Sequence, residues 1–394
     1  VRTEPLQITC INSVSDLTPY LDVWRKLAAG APMRSPEWLL GWWENFTTPD
    51  DRLCVLLLHE SDGALIGLAP LYLQGVSGCR TFRILGAADN CTHHNNWLTA
   101  EGWEDRVGRG VAGYFLDRRS EWQRLVFNAV DADATAVHAT LNCLAENGCL
   151  QHYRPINSCW KITLPTTWDD YLAMLSGSLR KRCRKLQREF LDSGVIQLRQ
   201  VESEAELREG FDILLKLHET RWGKTMTPLG VFSDRRFLKF HENMARKLLA
   251  RKQLRLAWLE CAGRPIAIEY QFFDDNAVYA YLAGIDLEQD EYSSGKLTMM
   301  AAIRFAVERG CKYFDLLGGD EGYKANWRAA PIPCHDLRVW QKKGRGAIEW
   351  RGWNGYTWVI RRLKPLLPQR LVELGLKSVQ GLQKVISIFG RTGR

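Results

Sequence analysis

No CxxC pair occurs in this 394-residue chain, whose eleven cysteines are scattered singly between Cys10 and Cys334. An odd number of dispersed cysteines in so long a chain argues against a disulfide framework or a zinc ribbon, and for reduced thiols that mostly pack. No apolar run approaches the roughly 18–20 residues of a spanning helix; Leu53 to Leu58 is typical of the longest. The first residues, Val1 to Thr9, carry Glu4 and Pro5 and lack an apolar core, so no signal peptide is expected. A cytoplasmic chain is expected, touching any membrane only from its surface. With 46% apolar and 25% charged residues, disordered, collagen-like and coiled-coil classes are also excluded.

Positive charge is short over most of the chain and concentrated at one end. Gln341 to Arg394 holds twelve Lys and Arg against Glu349 and Glu373, a net +10. The remainder holds 41 basic and 43 acidic residues, a net −2. Such asymmetry points to an acidic surface as partner for the tail.

Two segments about 200 residues apart read alike. In RLCVLLLHESDGALIGLAP (52–70) and KQLRLAWLECAGRPIAIEY (252–270), Leu56 aligns with Leu256, Glu60 with Glu260, Gly63 with Gly263 and Ile66 with Ile266. Each predicts strand, Gly turn, strand. A third strand ending at Gly86 or Gly284 follows, then helices near Asp105–Arg118 and Lys296–Arg309, then strands Arg124–Val130 and Lys312–Leu317. The shared order predicts a duplicated α/β unit.

Helices are expected ahead of each unit, at Leu17–Leu27 and Ser35–Phe46, and at Glu204–Trp222 and Asp234–Ala250. Ser35 followed by Pro36 is a helix start. Between the halves, Thr167 to Asp192 predicts one helix, with Leu175, Leu179, Cys183, Leu186 and Phe190 on one face. Arg180, Lys181, Arg182, Arg184, Lys185 and Arg188 cover the rest. Beyond Trp340 come Trp350, Trp353, Tyr356 and Trp358, then an amphipathic helix from Val372 to Phe389. Cations interleaved with Trp suit an anionic membrane surface; the same helix could instead cover the body.

The chemistry concentrates between Tyr279 and Trp327. A strand ends at Gly284, and Ser293-Ser294-Gly295 opens an apolar helix. The first N–H groups of a helix lack internal partners and sit at its positive end, so such a joint can seat a diphosphate. One of the serines could equally cap the helix. The joint is neither a Walker loop nor a dinucleotide-binding turn. No such joint follows Gly86. Cys91, His93 and His94 stand there without further residues at ligand spacing, and no metal is expected.

Tyr292-Ser293-Ser294-Gly295-Lys296-Leu297 and the block FDLLGGDEGYKANW (314–327) resemble motifs of the GNAT acyltransferases. The closer likeness is to the double-GNAT branch of CelD/BcsL-type cellulose-biosynthesis proteins, with Fem-type aminoacyltransferases more distant. The resemblance covers roughly residues 20–340 and implies an α/β (α+β) fold of two tandem GNAT-like units. Each would be a mixed, mostly antiparallel sheet flanked by helices, and a basic helical tail would follow. The units would be 1–160, degenerate and on the acceptor side, and 161–343, holding the acyl donor; the tail would be 344–394. The usual GNAT loop, Q/R-x-x-G-x-G/A, is absent.

The resemblance implies acetyl-CoA, or another acyl-CoA, as co-substrate, held by Ala283, Gly284, Ser293, Ser294, Gly295 and Lys296. Acylation needs a held thioester, a deprotonated amine and a polarised carbonyl. Candidate catalytic groups are Glu269, Asp320, Glu321, Lys324 and Tyr281. Glu269 should face the cleft or solvent by strand alternation. Asp320 and Glu321 lie just past a strand end, where α/β folds place sites, or serve as turn acids pairing Lys324. Asp315 is expected to cap or pair inside the fold. By the Fem-type likeness, Lys324 would bind phosphate or steady an oxyanion. Tyr281 and Tyr323 are candidate proton donors. Trp327 and Tyr323 would line the acceptor cleft, and Arg180 and Arg184 would meet a phosphorylated acceptor, a lipid head group or tRNA.

The implied function is N-acylation of a sugar or glycan-precursor amine in bacterial exopolysaccharide or cellulose-type synthesis, at the inner face of the cytoplasmic membrane and in contact with a polysaccharide synthase. Two rivals are aminoacyl transfer from tRNA to a cell-wall precursor and a non-catalytic accessory subunit of a synthase. Nucleic acid is a partner only under the first of these.

Overall fold

The computed structural model describes residues 5–29, 31–75, 80–86, 92–222 and 230–363. Cys91 and the expected tail helix from Val372 to Phe389 lie outside them. The described cysteines are free thiols, most of them buried.

In the first half the strands are β1 (Gln7–Ile11), β2 (Arg52–His59), β3 (Leu65–Gln74), β4 (Thr81–Ile84), β5 (Leu98–Thr99), β6 (Arg124–Asp131) and β7 (Leu150–Thr163). In the second half they are β8 (Ile196–Gln200), β9 (Leu254–Cys261), β10 (Arg264–Phe273), β11 (Ala277–Ile285), β12 (Tyr313–Gly318) and β13 (Ala330–Trp340). All join one mixed sheet ordered β1-β2-β3-β4-β6-β13-β7-β12-β11-β10-β9-β8, with β5 on β3. Gly63 (φ +86°) and Gly263 (φ +77°) make the matching hairpin turns, a left-handed conformation that glycine adopts without penalty. In both halves four antiparallel strands lead to a parallel pair, β4 with β6 and β11 with β12.

The last strand of each half is exchanged. β7 leaves the first half and pairs antiparallel with β12, Phe314 opposite Ile162. β13 leaves the second half and lies beside β6. The cores follow: Leu337 and Val339 of β13 are buried among first-half residues, and Ile162 of β7 among second-half residues. Each such side chain contributes about 1.5–3 kcal/mol by burial. The expected boundary at residue 160 falls inside β7.

The leading helices form where expected, except that the first is a 3-10 turn, Ser15–Tyr20, followed by a short α-helix, Leu21–Leu27. Pro36–Phe46 starts at Ser35, whose hydroxyl accepts from the Trp38 N–H, and Asp234 does the same for Arg235–Ala250. These two helices pack on each other, with Trp38 edge-on to Phe240 at 5.0 Å. The linker differs from the single helix expected. It breaks into Trp168–Met174 and Gly177–Leu186, then a π-turn at Gln187–Leu191. Ser176 accepts from the Leu179 N–H and so starts a fresh helix. Cys183 and Leu186 still face the core, and Leu175, now between the two helices, remains buried.

Contacts group Val1–Val339 into one compact unit, and a second begins at Trp340. Its described part is the helix Arg345–Leu363. No described helix is long and apolar enough to cross a membrane.

Candidate active site

The parallel pairing of β11 with β12 lasts only three positions, Ala277–Tyr313, Val278–Phe314 and Tyr279–Asp315. Beyond Tyr279 the strands part, and the outer edge of Tyr281–Ile285 loses its strand neighbour. A bulge marks the fork: Tyr270 faces Leu282 and Gln271 faces Ala280, leaving Tyr281 out of register. Bulges re-aim side chains in this way near active sites. The edge therefore presents backbone donors and acceptors to whatever enters the fork.

The helix Ser294–Glu308 opens just past this edge. Ser293 sits in the left-handed region (φ 51°, ψ 44°), and no side chain caps the helix. Its carbonyl takes the N–H groups of Lys296 (2.8 Å) and Leu297 (3.1 Å). Its hydroxyl accepts from Arg182 Nη2 at 2.8 Å. The mouth is thus an uncapped, positively polarised helix end with a guanidinium beside it. The capping role open to the serines is not adopted. A Cβ at Gly295 would stand 3.1 Å from Ile285 Cδ1. Ser294 is buried and Lys296 exposed. Gly284 serves packing: a Cβ there would come within 2.8 Å of the His218 nitrogen on the helix Leu207–Trp222. Ala283, beside it, faces Glu269 across the ladder.

Tyr281 lies on the face of the fork covered by the leading helices. Its hydroxyl is 3.2 Å from His241 Nε2. Tyr270 donates to the His241 carbonyl at 3.3 Å, and its oxygen lies 3.4 Å from His241 Nδ1. The consistent assignment has Nδ1–H donating to Tyr270 and Nε2 accepting from Tyr281. Burial pushes His241 down to about 3, so the ring is neutral. Trp38, from the first half, stands edge-on to both Tyr281 and His241 at 5.6 Å.

Several expected site residues have other duties. Glu269 does not face solvent; it is buried and accepts from Gln271 Nε2 at 2.9 Å. Gln271 in turn accepts from the buried Arg255 at 2.7 Å. Burial holds Arg255 down to about 10, with Glu269 opposing. The Lys324 ammonium is buried and donates to the carbonyls of Leu316, Leu317, Gly318 and Gly319, with Glu321 at 3.0 Å. A cation so enclosed locks the turn after β12 and has no donor left for phosphate. Asp320 accepts from the Ser158 N–H and Trp160 Nε1, both at 3.1 Å, tying this turn to β7. Trp327 is core, only 4% exposed, and its carbonyl accepts from Tyr171. Tyr323 is exposed. Arg180 and Arg184 line a surface hollow on the basic helix.

One cluster goes beyond the sequence reading. His94 Nδ1 lies 2.6 Å from Asp131 Oδ2, and His94 Nε2 lies 3.1 Å from Asp315 Oδ2 without hydrogen-bond alignment. Burial alone would pull His94 down, but Asp315 and Asp131 carry it up to about 10. Asp315 also accepts the Leu317 N–H at 2.8 Å, pairing inside the fold as expected. Next to it, burial holds His93 down to about 4. The two histidines were visible in the sequence, but their acids lie 37 and 221 residues away. Donor atoms of His94, Asp131 and Cys159 lie within 4.8 Å of one another. Ligands of one tetrahedral ion with bonds of about 2.0 Å stand about 3.3 Å apart. The 2.6 Å His94–Asp131 contact is shorter and is a hydrogen-bond distance.

The equivalent fork in the first half is filled by its own chain. β4 and β6 also pair over three positions only, and Asn95 then bridges Val130 in parallel. Its N–H bonds the Ala129 carbonyl at 3.1 Å.

Residues 177–325 match the family described as acetyltransferase (GNAT) domain. FemX shares the fold at 10% identity and a TM-score of 0.56, over 77% of this chain and 90% of FemX. A conserved protein of unknown function from Bacteroides thetaiotaomicron does so at 11% and 0.52, over 85% of this chain and 100% of that one. A tandem GNAT protein from the clavulanic acid biosynthesis pathway aligns at 12% and 0.42, over 86% and 99%. No curated protein matches the sequence. Residues 177–325 thus match the acetyltransferase (GNAT) domain model, within a chain whose two halves repeat one α/β strand order and share their fold with FemX.

Proposed function

We propose that the chain transfers an acyl group, acetyl in the simplest case, from coenzyme A to an amine of a sugar or glycan precursor. The observation carrying this reading is the uncapped mouth of Ser294–Glu308 beside the unpaired edge of β11. The mouth takes the donor's diphosphate, with the N–H groups of Ser294 and Gly295 foremost. The β11 edge takes the pantetheine arm and the thioester oxygen. The amine nitrogen attacks the carbonyl carbon, and an edge N–H stabilises the oxyanion. As the C–S bond breaks, the Tyr281 hydroxyl turns its proton from His241 Nε2 to the thiolate and recovers one from the acylated nitrogen. Neutral His241 holds that hydroxyl in place. The first half, its own fork filled, backs the Tyr281–His241 pair through the buried Trp38.

The setting, CelD/BcsL-type exopolysaccharide synthesis beside a synthase at the inner face of the cytoplasmic membrane, rests on the sequence resemblance. Exposed Ile348, Tyr356 and Trp358 on a helix that also carries Arg351 and Arg362 support surface contact with anionic lipid. Calorimetric titration with acetyl-CoA, followed by thiol release on adding amino sugars, tests the activity. Absence of both heat and thiol release removes it.

A further inference from the structure

Arg180, Lys181, Arg184, Lys185 and Arg188 recur at helical spacing along the helix Gly177–Leu186 and its π-turn, opposite the buried Cys183 and Leu186. With Gly177 and Glu189 they enclose a hollow of about 580 Å³. Lys185 lies 3.8 Å from Glu189. The other four make no side-chain ion pair or hydrogen bond with any described residue. Some cations elsewhere on the surface are matched, as in Arg264 with Asp286 (2.7 Å) and Arg304 with Glu308 (2.6 Å). Like charges four residues apart repel, so the stripe opposes its own helix unless an anion sits on it.

Its place is fixed. Arg182, on the flank of the same helix, donates to Ser293 at the donor mouth at 2.8 Å. Lys296, in the first turn beyond that mouth, acts electrostatically on Cys183 of the basic helix. Cationic groups therefore run from the diphosphate seat outward onto the stripe.

We propose that this stripe seats a phosphate monoester, the one on the ribose of the acyl donor, so that two separate elements grip the two phosphate groups of coenzyme A. This rests on the donor reading above. A dianion among five cations is held by charge-assisted hydrogen bonds, and the fork then needs to supply only the fit for pantetheine and acyl group. A phosphorylated acceptor offers the same chemistry, and the test separates the two sources.

Affinities for acetyl-CoA and 3′-dephospho-acetyl-CoA are measured by calorimetry at one salt concentration, without acceptor. The intact protein should bind the dephospho donor at least tenfold more weakly. Arg184→Gln with Arg188→Gln should erase most of that difference, weakening acetyl-CoA while leaving the dephospho donor unchanged. Arg52→Gln, an exposed charge in the other lobe, should change neither. Equal affinity for both donors overturns the assignment, leaves the donor reading standing, and points to the acceptor's phosphate. Failure to bind either donor overturns both. Thermal melts within a few degrees of the parent confirm folded variants.

Discussion

The imidazole of His94, from the first lobe, stands 3.1 Å from the buried carboxylate of Asp315 in the second. With Asp131 on its other nitrogen it becomes an enclosed cation between two acids. Removing one partner of such a group costs about 3–5 kcal/mol, so His94→Gln should destabilise the whole unit by that order.

The pH dependence has a definite sign. His94 is raised from 6.5 to about 10, so its contribution is complete below about 6.5 and fades as pH rises through 10. Asp315 is lowered from 3.8, chiefly by His94 against the pull of burial. Its contribution is present above 3.8 and fades on acidification. Urea denaturation of parent and His94→Gln at pH 7 and 10.5 should give a gap that narrows at the higher pH. A constant gap contradicts the charged-imidazole assignment.

Gly295→Glu should cut acetyl-CoA affinity by more than a hundredfold, because a carboxylate enters the diphosphate seat, while the melting temperature stays within a few degrees. Gly295→Ala brings a methyl group 3.1 Å from Ile285, which a small shift of that side chain accommodates, and should bind nearly normally. Calorimetry on the pair separates charge from bulk.

Tyr281→Phe keeps the ring and removes the proton held 3.2 Å from His241. We expect kcat to fall about 10²-fold with KM for the donor little changed. An unaltered kcat assigns the proton to another group.

Lys324→Met should act on stability. Four carbonyls lose their shared donor, and each unsatisfied buried acceptor costs about 1–3 kcal/mol when nothing replaces it. Folded variant that binds acetyl-CoA with parental affinity, but melts well below the parent, is the expected result of calorimetry and thermal melting together.

The hairpins at Gly63 and Gly263, the cap at Ser35 and the strand leading to the Ser293 joint were legible because each is a local pattern. Lys324, Trp327, Asp320 and Glu321 drew attention through a Gly-rich turn past a strand end. Asp320 is tied to β7, which arrives from 160 residues earlier, Trp327 is buried beside Tyr171, and the Lys324 ammonium turns back onto the carbonyls of its own turn; spacing carries no trace of these. The His94 cluster and the Tyr281–His241 pair are likewise products of tertiary approach. Glu269 was ambiguous for another reason: strand alternation names a face but not what covers it, and the helix Ser294–Glu308 lies over this one.

The exchange of β7 and β13 bears on inheritance. Neither half can be shed, or traded for a relative's copy, without leaving a raw sheet edge in the one that remains, and such edges invite aggregation. A unit whose own fork is stopped by Asn95 still supplies the strand that completes its twin's sheet.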